Sequence, residues 1–169
     1  MSDCILCAVD DTDHGFTVAR VADRLSHALD LRVVLVYAAP LRGSALVPPP
    51  AALPTTLAPE QLPPAEMARA SEVEADSAQS VLERIAEAEL LLGAELRPEL
   101  GDPAARILAV AGELDPELIV IGSRRRGSIA TVFLGSVSHA VVNGAACPVV
   151  IVPYGVEARA LLGRRRSSR

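Results

Sequence analysis

Four short runs constrain this chain most: CILCAVD from Cys4 to Asp10, LRVVLVYA from Leu31 to Ala38, LIVI from Leu118 to Ile121 and PVVIVP from Pro148 to Pro153. Apart from Arg32 and the closing Asp10, each is apolar at consecutive positions. A strand with one wet face alternates, whereas a strand covered on both faces reads as a continuous apolar run. Between the first two, Val18, Val21, Ala22, Leu25, Ala28 and Leu29 recur at three- and four-residue spacing, one face of a helix running from about Gly15. Buried strand, amphipathic helix, buried strand is the pattern of a parallel sheet with helices on both faces.

The rest of the chain continues this rhythm. A long helix is expected from Ala65 to Leu92, with Val73, Ser77, Val81, Ile85, Ala88 and Leu92 as its inward stripe and Gly93 ending it. Glu95 to Leu100 reads as a weaker strand, confined to a sheet edge by Pro98. Asp102-Pro103 signals a helix start, an N-cap followed by a proline at the first helical position, for a helix through Leu114. A last helix spans Gly135 to Ala145. Five parallel strands joined by right-handed crossovers give an open doubly wound α/β sheet. With the first strand central the order is 3-2-1-4-5, and a ligand belongs beyond the carboxyl ends of the strands, where the winding reverses.

Residues 39–64 interrupt the pattern with eight of the chain's 13 prolines. Only about 38 residues precede this stretch, too few for a separate domain, so it is an insertion within one fold. Loops of this length either carry function or are tolerated surface excursions. The 169 residues suffice for one domain without staples, and Cys4, Cys7 and Cys147 make no even disulfide framework. Cys4 and Cys7 share a strand at odd separation, so they face opposite ways as packed thiols, and Cys147 is expected to be buried. The amino terminus has an acid at position 3 in place of a basic segment, and no apolar run approaches the roughly 18 residues of a membrane span. A cytoplasmic protein without membrane contact is the expectation.

All 16 basic residues are arginine. The absence of lysine removes Schiff-base chemistry and the lysine-type phosphate loop. It also removes the phospho-acceptor receiver reading of Asp10, Asp11 and Asp13, which needs a late lysine. Asp11 and Asp13 then read as solvated residues at a helix start. Seven arginines sit in two clusters without acids, at residues 124–126 and 164–169, leaving nine against 21 acids elsewhere. An acidic body with two Phe, two Tyr and no Trp does not suit nucleic acid, although one arginine cluster can hold a small anion. His14, His27 and His139 have no metal-ligand spacing, and His139 is assigned to the surface or a dimer contact. No triad spacing appears, so Ser136 and Ser138 are phosphate donors or helix-start residues, not nucleophiles.

The stretch GSRRRGSIATVFLGSVSHA after the fourth strand is the most informative. Gly122 and Gly127 permit close backbone approach, and Gly135-Ser136-Val137-Ser138 opens a helix whose free amides suit a phosphate. Together with ILCAVDDTDHG, GDPAARIL and ELIVIGSRRRGSIATVFLGSVSHAVVNGAACPVVIVP, it resembles the universal stress protein family of the UspA type from Cys4 to Tyr154. The resemblance implies a Rossmann-like fold of the adenine nucleotide α-hydrolase type over residues 1–154, with 39–64 an insertion loop and 155–169 an arginine-rich tail. In one subgroup it implies ATP binding through a G-x-x-G-x9-G-[ST] motif. By that resemblance Ala8, Val9, Asp10, Ala38 and Ile121 meet adenine and ribose, and Gly122, Gly135, Ser136, Val137 and Ser138 meet the phosphates. Any Mg²⁺ arrives with the nucleotide. Arg125 stands where the motif has its second glycine, with Gly127 two positions on, so Arg125 either grips the phosphates or obstructs them. The resemblance also implies a homodimer paired across the last strand, between Pro148 and Pro153. Three functions remain in play: a nucleotide-binding stress regulator, an interaction protein whose crevice Arg125 closes, and a slow nucleotide hydrolase. Nothing in the spacings marks an efficient enzyme.

Overall fold

The computed structural model describes residues 3–40, 64–91, 93–123 and 134–155. The elements in chain order are β1 (Cys4–Ala8), α1 (Asp13–Leu29), β2 (Arg32–Ala39), α2 (Pro64–Ala88), β3 (Glu95–Leu100), α3 (Pro103–Leu114), β4 (Leu118–Gly122), α4 (Ser136–Gly144) and β5 (Val149–Val152). The sheet is parallel throughout, in the order β3-β2-β1-β4-β5. This is the doubly wound arrangement expected, with Pro98 on the edge strand.

The pleat divides the core in two. Ile5, Cys7 and Val9 join Val33, Leu35 and Val120 under α1 and α2. Cys4, Leu6 and Ala8 join Val34, Val36, Ile119 and Ile121 under α3 and α4. Both faces of β1 are therefore dry, which is why its sequence does not alternate. Cys4 and Cys7 fall on opposite faces, both fully buried, and loss of solvation pushes the Cys7 thiol well above its ordinary range. Cys147 is half-buried, not buried as expected, because it lies just before the edge strand.

Asp102 caps α3 as expected, its carboxylate accepting from the Ala105 amide at 2.9 Å with Pro103 behind it. The long helix α2 departs from expectation twice. Among its described residues Ala78, Val81, Leu82 and Ile85 are buried, two of them in the expected stripe, while Val73 is 68% exposed, Ser77 and Ala88 are exposed, and Leu92 lies outside the described residues. A strict four-residue spacing overshoots each turn by about 40°, so a stripe drawn that way winds off the buried face. The helix also ends before Gly93. Leu90 takes a left-handed conformation at φ 54°, and the Leu91 amide donates to the Ala86 carbonyl at 2.9 Å. That closure turns Leu91 into the core, so burial of one side chain sets the stop.

Candidate functional site

The winding reverses at β1, whose neighbours β2 and β4 lead to opposite halves of the sheet. At the carboxyl ends of these strands lies a crevice of about 720 Å³. Small residues open it: Ala8 ends β1, Ala38 sits near the end of β2 and Gly122 ends β4. Val9, Asp10 and Ile121 also line it, as do Gly135, Val137 and Ser138 from the start of α4. Ser136, exposed as the first residue of α4, does not. Arg125, Gly127 and the rest of the arginine run lie outside the described residues, as do the terminal cluster and most of the proline-rich segment.

The turn from β1 into α1 is tight. Thr12 donates its hydroxyl to the Asp10 carboxylate at 2.6 Å. Gly15 brings the first turn of α1 so close that a Cβ there would stand 2.2 Å from the Asp10 carbonyl oxygen. Asp11 is exposed and paired with Arg84 of α2, whose guanidinium lies over the Phe16 ring. Asp13 begins α1, where its charge complements the helix dipole.

On the far side, Gly135 caps α4 with extended backbone and no side-chain cap. The first hydrogen bond inside the helix runs from the His139 amide to the Gly135 carbonyl, at 2.9 Å. The amides of Ser136, Val137 and Ser138 precede it and have no partner within the helix. The Ser138 hydroxyl is not the free donor expected from sequence, for it is buried and donates to the Gly135 carbonyl at 3.1 Å. A helical serine reaches back readily to a carbonyl in the preceding turn.

Sequence reasoning missed one cluster. His14, in the first turn of α1, is only 8% exposed and lines the crevice. Its Nε2 lies 3.1 Å from the Val152 carbonyl oxygen, and its ring centroid is 5.2 Å from that of Tyr154. The same carbonyl accepts from the Ser123 amide at 2.9 Å, and the buried Ser123 hydroxyl accepts from the Tyr154 amide at 3.1 Å. Ser123 and Tyr154 line the crevice too. The available signal was positional: His14 lies in the first turn after a strand tip, where side chains reach the carboxyl end of the sheet. Among the described residues no group of three or more His, Cys, Asp or Glu can hold a metal ion, and no helix is long and apolar enough to cross a membrane.

Fold and crevice define an open Rossmann-like α/β protein with a concave site at its winding reversal. A family model described as the universal stress protein family matches residues 1–153. The "universal stress protein in QAH/OAS sulfhydrylase 3'region" of Thermus aquaticus is 34% identical over 151 residues, covering 88% of this chain and 96% of that relative. The chain belongs to the universal stress protein family. Among solved structures, UspA from Lactobacillus plantarum matches with TM-score 0.63 at 21% identity, over 89% of this chain and 97% of the other. A universal stress protein crystallised in complex with cAMP matches with the same values. At such identity these likenesses speak for the fold.

Proposed function

We propose that this chain is a stress-response regulator that binds an adenine nucleotide, ATP in the first instance, in the crevice at the carboxyl ends of β1, β2 and β4. The observation that carries this reading is the crevice itself: about 720 Å³, apolar where Val9, Ala38 and Ile121 line it, and faced by the open amides of α4. The cAMP complex of a protein with this fold supports it. Adenine and ribose fit the apolar end near Ala8, Ala38 and Asp10, and the phosphates fit the amides of Val137 and Ser138 at the start of α4. Any Mg²⁺ would arrive with the phosphates, and Asp10 would bond ribose or, through water or that ion, phosphate. Nucleotide occupancy then reports the energy state of the cytoplasm to a partner, and slow hydrolysis is the most chemistry such a site performs. The edge strand β5, with one side of its backbone unpaired within the sheet, pairs antiparallel with a second copy to form a symmetric dimer.

Titration calorimetry of the full chain with MgATP, ADP and cyclic AMP tests the binding. Saturable heat at micromolar to millimolar nucleotide is expected, and its absence up to millimolar concentration removes the nucleotide reading. Arg125 in place of the motif glycine favours a second reading, an interaction protein with a closed crevice. If that reading holds, Arg125→Gly creates binding that the parent chain lacks.

A further inference from the structure

The crevice is unbalanced in charge. Asp10 and Asp11 line it, no arginine does among the described residues, and the chain has no lysine. Arg84 is held by Asp11, while Arg20, Arg32, Arg97 and Arg106 are held by Glu89, Asp3, Glu113 and Glu99, none of which lines the crevice. Among the described lining residues, His14 alone can take up a proton and become a cation.

Its geometry decides which nitrogen is available. A carbonyl oxygen only accepts, so the His14 Nε2 facing Val152 carries a hydrogen. Nδ1 has no hydrogen-bond partner among the described residues, on a ring that lines the crevice. The ring is wedged in place: a Cβ on Gly122 would fall 2.8 Å from its Cδ2, and Tyr154 stacks against it at a tilt. The side chain is therefore oriented before any ligand arrives, so little ordering cost falls on binding.

We propose that His14 is a protonation-dependent phosphate contact of this crevice. In the neutral ring Nδ1 presents a lone pair. As a phosphate enters, Nδ1 takes a proton from solvent and donates it in a charged hydrogen bond to a phosphate oxygen, while Nε2 keeps its bond to Val152. Around the ring stand Asp10 and Asp11, which line the same crevice, the amides that open α1 and α4, Ser123 beyond β4 and the Tyr154 phenol beyond β5. Because the ligand selects the protonated form, affinity for a phosphate-bearing ligand rises as pH falls, by at most about tenfold per pH unit for one proton.

The proposal rests on the nucleotide reading, and one set of titrations separates the two. Cyclic AMP keeps a single negative charge from pH 6 to pH 8, and adenosine has no phosphate. Both are titrated into the full chain at pH 6, 7 and 8, and into His14→Gln, whose side-chain amide still offers an N–H to the Val152 carbonyl but does not titrate. Cyclic AMP is expected to bind about fivefold or more tightly at pH 6 than at pH 8, adenosine equally at each pH, and cyclic AMP to lose its pH dependence in the variant. A slope retained in His14→Gln, or shared by adenosine, overturns the assignment. In the unmodified chain, saturation with cyclic AMP should raise the midpoint at which the His14 ring proton resonance titrates. A midpoint that does not move refutes the proposal even if the variant fails to fold. If cyclic AMP, adenosine and ADP all fail to bind at every pH, the nucleotide reading falls and this assignment with it.

Discussion

Gly15 and Gly112 both lie inside helices, where propensity alone predicts that alanine stabilises the chain by about 1 kcal/mol. The structure separates the two positions. A Cβ on Gly112 meets nothing within 4 Å, so Gly112→Ala should gain most of that amount. A Cβ on Gly15 would lie 2.2 Å from the Asp10 carbonyl oxygen, 3.2 Å from its carbon and 3.3 Å from its nitrogen. Carbon and oxygen approach to about 3.3 Å without penalty, so the overlap is about 1 Å. The atoms met are backbone, and no rotamer change relieves them. Either α1 or the turn from Asp10 to Thr12 has to move. Overpacking of this kind costs about 1–3 kcal/mol and sometimes more, against a propensity gain of about 1. An overlap of this size with backbone puts the cost at the upper end, about 3 kcal/mol, so Gly15→Ala is expected to lose about 2 kcal/mol net, a fall in Tm of about 4–8 °C for a chain of this size. With no Trp in the chain, far-UV circular dichroism in urea is the suitable probe, read as a change in midpoint at constant slope and fixed protein concentration. A Gly15→Ala chain as stable as its parent, or stabilised like Gly112→Ala, would refute the close approach of α1 to Asp10.

Two further outcomes follow from the backbone and the sheet edge. Leu90 is 76% exposed and left-handed, a conformation that disfavours a side chain by about 1–2 kcal/mol; Leu90→Gly should stabilise the chain by about 0.5–1 kcal/mol after glycine's unfolded-state entropy is counted, and a loss of stability in the same urea assay would contradict the assigned turn. Val150 lies in the middle of β5, so Val150→Asp should give monomers in sedimentation velocity if the dimer pairs across that edge, and a dimer that persists places the interface elsewhere.

Much of the fold was legible because it depends on neighbours along the chain. Consecutive apolar residues declared β1, β2 and β4 as strands dry on both faces and marked β5, half-buried at the opposite edge, as a strand, while Pro98 confined β3 to an edge because proline cannot serve a central ladder. Asp102-Pro103 marked the start of α3 through groups within three residues of one another. The position of the crevice followed from topology, and most of the residues expected there do line it. Where expectation failed, the deciding contact was not local. The inward face of α2 was set by the sheet beneath it, and its end by the pull of the core on Leu91.

His14 marks the division most clearly. Spacing along the sequence could test it only as a metal ligand, and by that test it was unremarkable. Its role as proposed depends on Val152, 138 residues away, which takes Nε2 and leaves Nδ1 without a hydrogen-bond partner among the described residues. Sequence by itself determined the alternation of elements and the absence of lysine, which leaves arginine, histidine and backbone amides as the donors for an anionic ligand. Only the tertiary structure placed His14 in the crevice with Nε2 against the Val152 carbonyl, because hydrogen-bond partners are assigned by packing between strands and helices distant in the chain.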